Sequence, residues 1–148
     1  MNRLFRISLS GLLCLFAGCQ QQVTAPLKAP RESVTGYVTL NGKPVQKAAI
    51  VFVNHSVSPV MKVRAEISQG MFLVPKGVGP GVGVNNVQIQ PVVRDLEEFE
   101  ALRREKPRKN ISPVVVSIPA TYQRESAFQV EVSEFPQNND FEFHLTSK

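Results

Sequence analysis

The sequence predicts an all-β domain, built as an antiparallel sandwich with one short helical insert. Several short segments alternate apolar and polar residues with a period of two, which is the pattern of half-buried strands. Residues that favour turns separate these segments, and the chain lacks the strand–helix alternation of a parallel α/β sheet. These observations place the folded domain at residues 33–148.

The first predicted strand covers residues 34–40, where Val34, Val38 and Leu40 lie on one face. Asn41-Gly42-Lys43-Pro44 then predicts a turn. Asn and Gly accept positive φ, and proline fixes the direction in which the chain leaves.

The next predicted strands follow from composition and turn signals. Residues 48–53 are apolar on both faces, which indicates a central strand. Residues 62–67 alternate, and a turn at Gln69-Gly70 returns the chain through residues 71–74 as a hairpin. The Gly- and Pro-rich residues 76–83 are unsuited to a strand interior and predict a loop.

A strand predicted at residues 84–93 leads into an insert at residues 94–110 that breaks the all-β pattern. Residues 95–105 contain good helix formers, with acids early and bases late, and predict a helix that ends before Pro107. A narrow apolar stripe runs along this helix: Leu96, Phe99 and Leu102 or Ala101. We expect the stripe to dock on the sandwich, because it would otherwise be an exposed apolar patch that favours aggregation.

Three further segments complete the predicted sandwich. Residues 114–118 are a strand candidate, and residues 127–132 alternate with their apolar side chains inward. A turn around residues 137–139 precedes the last predicted strand, at residues 140–145.

The first 18 residues have the order of a cleavable export signal. Arg3 and Arg6 flank its start, an apolar run covers residues 7–16, and two small residues precede Cys19. The apolar run is shorter than the roughly 20 residues that cross a hydrocarbon core. We therefore expect residues 1–18 to be removed rather than retained as a membrane span.

Residues 15–19 resemble the lipobox of bacterial lipoproteins, in which a cysteine is acylated and the chain is cut just before it. This resemblance implies a membrane anchor at Cys19, although Phe16 stands where that motif usually has a small aliphatic residue. Cys14 is a poorer candidate because bulky leucines precede it. The alternative is an ordinary secreted protein cut near Ala17, and both interpretations place the domain in the cell envelope or beyond, not in the cytoplasm.

Residues 19–32 are polar and predict a flexible tether between anchor and domain. If Cys14 leaves with the leader and Cys19 carries the anchor, the domain has no disulfide and must rely on its hydrophobic core. Loss of Arg3 and Arg6 lowers the formal charge from +5 to +3, which indicates no particular partner.

The sequence predicts no catalytic site, no metal site and no cofactor. His55 and His144 lie on different predicted elements without an acidic partner at ligand spacing. The chain lacks a Gly-x-Ser-x-Gly elbow, and its grouped glutamates point apart on a predicted exposed helix, where we expect them to be solvated. We therefore expect the protein not to be an enzyme.

One cluster of charged side chains is a candidate binding surface. Five basic residues lie within seven positions after the predicted helix: Arg103, Arg104, Lys106, Arg108 and Lys109. They could attract anionic polymers or lipid headgroups, whereas nucleic acid is the least accessible polyanion for an exported protein. The structural alternative is a helix end whose cations offset the helix dipole, followed by a solvated loop.

Taken in order, six fragments resemble the small lipoproteins of planctomycete-type bacteria that carry a carboxypeptidase regulatory-like, transthyretin-like domain. The fragments are residues 34–45, 48–52, 69–72, 79–81, 118–122 and 138–145. The resemblance implies an immunoglobulin-like β-sandwich without catalytic residues. The chain departs from that family at Val84 or Asn85, where a tyrosine is usual, and in the length of its insert.

These observations together predict a lipid-anchored, non-catalytic module of the cell envelope with a binding or scaffold role. The alternative is a binding protein for anionic glycans or peptidoglycan that acts through the basic insert.

Overall fold

The computed structural model describes residues 29–147, so the leader, Cys19 and most of the expected tether lie outside the described residues. Eight strands and one α-helix occur within this range. They are β1 (Val34–Leu40), β2 (Lys43–Pro44), β3 (Lys47–Asn54), β4 (Met61–Ser68), β5 (Met71–Val74), β6 (Gly83–Pro91), α1 (Leu96–Glu105), β7 (Phe128–Val132) and β8 (Asp140–Leu145). The all-β class with one helical insert is confirmed.

The strands form one hydrogen-bonded sheet that curls into a half-barrel. The strand order is β2-β1-β5-β4-β3-β6-β7, and β8 pairs with β1. β3 lies between β4 and β6, as its two apolar faces predict. β4 and β5 share only the register pair Ser68↔Met71, so the sheet is nearly divided at this hairpin.

The two predicted turns of this sheet are confirmed by backbone conformation. Asn41 and Gly42 have φ values of 52° and 75°, and Gln69 and Gly70 have φ values of 52° and 82°. Glycine at the second position of each turn adopts its positive φ without the steric cost of a Cβ.

The prediction of a wholly antiparallel sheet is wrong at β8. β1 and β8 run parallel from the pair Thr35↔Asp140 to the pair Leu40↔Leu145. Alternation along β8 correctly places Phe143 on the core face. Alternation determines the face of a side chain but not the direction of the neighbouring strand, and parallel pairing requires only a long connection between the two strands.

An aromatic chain crosses the core of the half-barrel. Phe72 of β5 lies with its ring centroid 6.1 Å from that of Phe52 and 6.2 Å from that of Phe143. The rings of Phe128 and Phe143 are 5.0 Å apart. Since Phe128 belongs to β7 and Phe143 to β8, the strands at the two sides of the sheet meet through their side chains.

The prediction of a strand at residues 114–118 is wrong. Only Val114 forms a β-bridge, with Val93, and the rest of the segment bends. Prolines at positions 113 and 119 flank the segment, and proline cannot donate a ladder hydrogen bond. Ile118 nevertheless reaches the core, where it is 3% exposed.

The sequence predicts that the folded domain begins at residue 33, but the structure shows ordered contacts before that residue. Arg31 forms an antiparallel bridge with Gly81, and the N–H of Glu32 donates to the carbonyl oxygen of Pro80 at 3.1 Å. Gly79 permits this close approach, because a Cβ there would lie 1.9 Å from the carbonyl oxygen of Glu32. The end of the expected tether is thus held against the Gly-rich loop.

A buried carboxylate strengthens this contact. The side chain of Glu32 is buried and accepts a hydrogen bond from the Lys76 ammonium at 2.7 Å and one from the N–H of Ser33 at 3.0 Å. The Lys76 ammonium, followed by the Ser33 N–H, holds the pKa of Glu32 below its ordinary value. The carboxylate is therefore ionised at neutral pH, as its ion pair requires.

Candidate anion-binding surface

The helical insert leaves the sheet and returns to it at one place, forming a lobe of residues 94–113. The N–H of Arg94 donates to the carbonyl oxygen of Pro113 at 2.8 Å. The Arg94 guanidinium donates to the carbonyl oxygens of Ser112 and Val114 at 3.1 and 2.9 Å. These bonds join the two ends of the helical lobe at its base.

Helix α1 starts within one residue of its predicted position. The Asp95 side chain caps it by accepting the N–H of Glu98 at 2.7 Å. The first turn carries Glu97 and Glu98, and the last turn carries Arg103 and Arg104. The acids thus lie at the positive end of the helix dipole and the bases at its negative end, which stabilises the helix.

The expected docking of the apolar stripe on the sheet is wrong. None of the α1 residues, all of which the structure describes, is buried, and Leu96 is 75% exposed. Phe99 and Leu102 are only half-buried. At 3.6 residues per turn, Arg103 and Lys106 fall beside this stripe, and burying it against the sheet would desolvate their charges.

All five predicted basic side chains are exposed. The guanidinium carbon of Arg103 lies 5.7 Å from the centroid of the Phe99 ring, a cation–π distance that holds this cation over an apolar surface. Lys106 lies 3.6 Å from the carboxylate of Glu105. Such an exposed ion pair is weak, so Lys106 stays accessible to another anion.

The other three cations face solvent at the end of the lobe. Arg104 donates from Nε to the carbonyl oxygen of Glu100 at 3.3 Å, which leaves most of its guanidinium donors available. Arg108 and Lys109 form no ion pair with any residue in the described range. All five predicted residues are therefore exposed at the end of α1 and in the segment that follows it, with Glu105 as the single acid within residues 103–109.

The two histidines do have acidic neighbours, contrary to the expectation from sequence. His55 Nε2 contacts Glu125, which also lies 3.6 Å from Lys62, and His144 Nε2 lies 3.5 Å from Glu142. Both histidines are exposed. Across residues 29–147 no group of three or more His, Cys, Asp or Glu side chains could hold a metal ion.

Sequence reasoning missed an open groove of about 680 Å³ on the outer face of β1 and β5. Met71 and Leu73 line it and are 63% and 64% exposed. The sequence does carry one indication of this groove, because residues 71–74 are apolar at every position. A strand with only one face on the core must then expose apolar side chains on the other face.

Comparison with known proteins identifies no relative: no family model, curated protein or solved structure matches the chain. Among the helices of the described residues, none is long and apolar enough to cross a membrane.

Proposed function

We propose that the protein is a lipid-anchored, non-catalytic module of the cell envelope that binds anionic polymers through its helical lobe. The observation that carries this proposal is the exposure of five cations at the end of a lobe whose base is held by Arg94. Envelope glycans and peptidoglycan that carry carboxylate or phosphate groups are the ligand class that fits such a surface.

The anchor is the second part of the proposal. The order of the leader, its apolar run and the small residues before Cys19 support acylation of that cysteine. An anchored module would hold the helical lobe close to the envelope polymers that surround the membrane, which raises the effective concentration of the two partners.

We also infer that the half-barrel belongs to the immunoglobulin-like, transthyretin-like sandwiches. The near division between β4 and β5 separates β8, β1 and β5 from β4, β3, β6 and β7. Phe72 and Phe143 of the first group pack against Phe52 and Phe128 of the second. This arrangement supports the resemblance to lipoproteins of planctomycete-type bacteria, in which such a domain has no catalytic residues.

The chemistry of the cluster favours a repeating polyanion over a single small anion. The cations lie on flexible, exposed side chains and no described pocket encloses them, so each contact with a phosphate or carboxylate is weak. Several weak contacts along one polymer add up to useful affinity. Because these contacts are screened by salt, binding should fall steeply as ionic strength rises.

Binding to polygalacturonate, a carboxylated glycan, tests the proposal. The mature chain carrying Cys19→Ser should bind polygalacturonate at low salt and release it at high salt. It should not bind neutral dextran at either salt concentration. Replacement of all five basic residues by Gln should abolish binding: Arg103, Arg104, Lys106, Arg108 and Lys109.

A matched variant removes the same formal charge from other surfaces. It changes five basic residues outside the helical lobe to Gln: Lys43, Lys47, Lys62, Arg64 and Arg124. This variant should retain most of the binding. Equal loss in both variants would show that net charge alone attracts the polymer, and unchanged binding in the lobe variant would contradict the proposal.

A further inference from the structure

The outer groove on β1 and β5 is a second surface, separate from the helical lobe. Strand register aligns its side chains in two rows: Asp140, Thr35 and Leu73 in one, and Glu142, Tyr37 and Met71 in the other. Since Thr35 pairs with both Asp140 and Leu73, β8 and β5 lie on opposite sides of β1. The groove therefore has acids on the β8 side and apolar side chains on the β5 side.

The centre of the groove is apolar and open. Met71 and Leu73 expose well over half of their surface. Tyr37 lies over the turn that precedes β5, where a Cβ on Gly70 would come within 2.7 Å of its ring. Three large side chains on adjacent strands make a contiguous apolar surface, which in a folded protein is typical of a contact site.

The sides of the groove are acidic. Asp140 lines it from β8 and Glu66 from β4. Asp140 accepts a hydrogen bond from the Thr35 hydroxyl at 3.2 Å, which holds its carboxylate at the groove. No lysine or arginine occurs among the groove's lining residues in the described chain. An occupant should therefore combine apolar side chains with positive charge.

The same chain carries a surface of that composition on α1. At 100° per residue, one face of the helix and its C-cap collects two apolar and two cationic side chains: Leu96, Phe99, Arg103 and, at the C-cap, Lys106. We call this face the apolar–cationic stripe. Three of the α1 acids, all in the described range, lie on other faces of the helix: Glu97, Glu98 and Glu105. Glu100 borders the stripe, one turn after Leu96.

We propose that the groove of one copy receives the apolar–cationic stripe of a second copy. Leu96 and Phe99 would cover Met71 and Leu73, and the two cations of the stripe would meet the acids at the sides of the groove. Asp140 on β8 and Glu66 on β4 are three strands apart in the sheet order, on the order of 14 Å when measured along the sheet. A helix with its side chains is about 10–12 Å wide, so α1 fits between them.

This contact goes beyond polymer binding and does not depend on it. Arg104, Arg108 and Lys109 lie outside the stripe and stay available to a polymer. The contact joins two different surfaces, so each copy in a pair keeps one free groove and one free stripe. Copies would thus associate head to tail, into rows rather than closed dimers. One helix against one groove makes a small interface, and association should be weak and sensitive to salt.

Cysteine cross-linking between two differently tagged copies tests the contact. One mature chain carries Leu73→Cys and the other Leu96→Cys, and both carry Cys19→Ser. Oxidation at low salt should give a mixed-copy disulfide several-fold more often than a control pair in which Phe135→Cys replaces Leu73→Cys. Phe135 is a fair control because it is 61% exposed and lies away from the groove, in the loop after β7.

Charge reversal then tests the assigned partners. Glu66→Lys with Asp140→Lys should reduce cross-linking to the control level, and Arg103→Glu with Lys106→Glu in the other copy should restore it. Cross-linking equal to the control pair, or unaffected by the reversals, would overturn the proposal. An intramolecular disulfide between Leu73→Cys and Leu27→Cys, formed in place of the mixed-copy product, would assign the groove to the chain's own N-terminal segment and also overturn it.

The polymer assay separates this inference from the proposed function. Glu66→Lys with Asp140→Lys should not weaken binding to polygalacturonate. Loss of polymer binding in the five-residue lobe variant tests the proposed function alone. A wild-type chain that binds polymer but forms no more mixed-copy disulfide than the control pair would overturn the self-association proposal and leave the proposed function standing.

Discussion

Tyr122 stacks on Phe128, with ring centroids 5.5 Å apart and ring planes 8° from parallel. The Tyr122 phenol oxygen also accepts a hydrogen bond at 3.1 Å from the backbone N–H of Thr146, the residue that follows β8. Because Phe128 lies on β7, Tyr122 joins the two strands at opposite sides of the half-barrel. Tyr122 thus reinforces the contact that Phe128 and Phe143 make between these two strands.

Removing the Tyr122 hydroxyl should weaken this contact without abolishing it. Tyr122→Phe keeps the stacked ring and loses the hydrogen bond, so we expect the free energy of unfolding to fall by about 1 kcal/mol. Tyr122→Ala also loses the ring contact and should cost about 2–3 kcal/mol. Equilibrium urea unfolding measures both, and equal costs for the two variants would show that the stacking contributes nothing.

The aromatic chain in the core should account for much of the stability. Phe52→Ala and Phe143→Ala should each cost about 3–5 kcal/mol, since each removes a buried ring. Leu73→Ala is the matched exposed control and should change stability by less than about 0.5 kcal/mol. If Leu73→Ala proved as costly as Phe143→Ala, the assignment of the two faces of the sheet would be wrong.

Two glycines of one loop should respond differently to alanine. Gly79→Ala places a Cβ 1.9 Å from the carbonyl oxygen of Glu32 and should release residues 30–32 from the loop. Gly77→Ala meets no atom within 4 Å and should be neutral. Limited proteolysis near Arg31 should therefore be faster in the Gly79 variant alone. Equal rates in both variants would contradict the described docking of this segment.

Helix α1 should unfold independently of the sheet. Asp95→Ala removes the N-cap, worth about 1 kcal/mol, from a helix that buries none of its described residues. Amide hydrogen exchange should quicken about fivefold within α1, with no change in the β3 and β6 amides. Glu100→Ala, in the same helix but away from the cap, is the control. A matching loss of protection in β3 would mean that α1 contributes to the core.

Local signals in the sequence predict most of the strands. Asn41-Gly42 and Gln69-Gly70 determine their turns through positive φ, and the apolar residues of β3 reveal its central place. These features depend on neighbours in the sequence, which alternation and turn chemistry describe well.

Two features depend on contacts between segments that no local sequence pattern encodes. The parallel pairing of β8 with β1 joins residues about a hundred positions apart, and no local pattern encodes it. Val114 pairs only with Val93, because β6 ends at Pro91 and offers no longer strand to pair with. The expected strand is therefore limited to one β-bridge.

The exposure of α1 is different, because local sequence does indicate it. The apolar period of the helix predicts its stripe, but Arg103 and Lys106 lie on the same side and oppose docking on the sheet, since burial would desolvate their charges. The basic residues themselves were found from sequence because clustering is a local property. The groove was missed because it is formed by strands that are distant in sequence.

Fatty-acid labelling of Cys19 is the most direct test of the central claim, that the protein is a lipid-anchored envelope module. Cells expressing the full-length chain would be grown with a labelled fatty acid, alongside Cys19→Ser and the matched control Cys14→Ser. We expect label on the wild type and on Cys14→Ser, with both in the membrane fraction, and no label on Cys19→Ser. Equal labelling of Cys19→Ser, or no label on any of the three, would contradict the account.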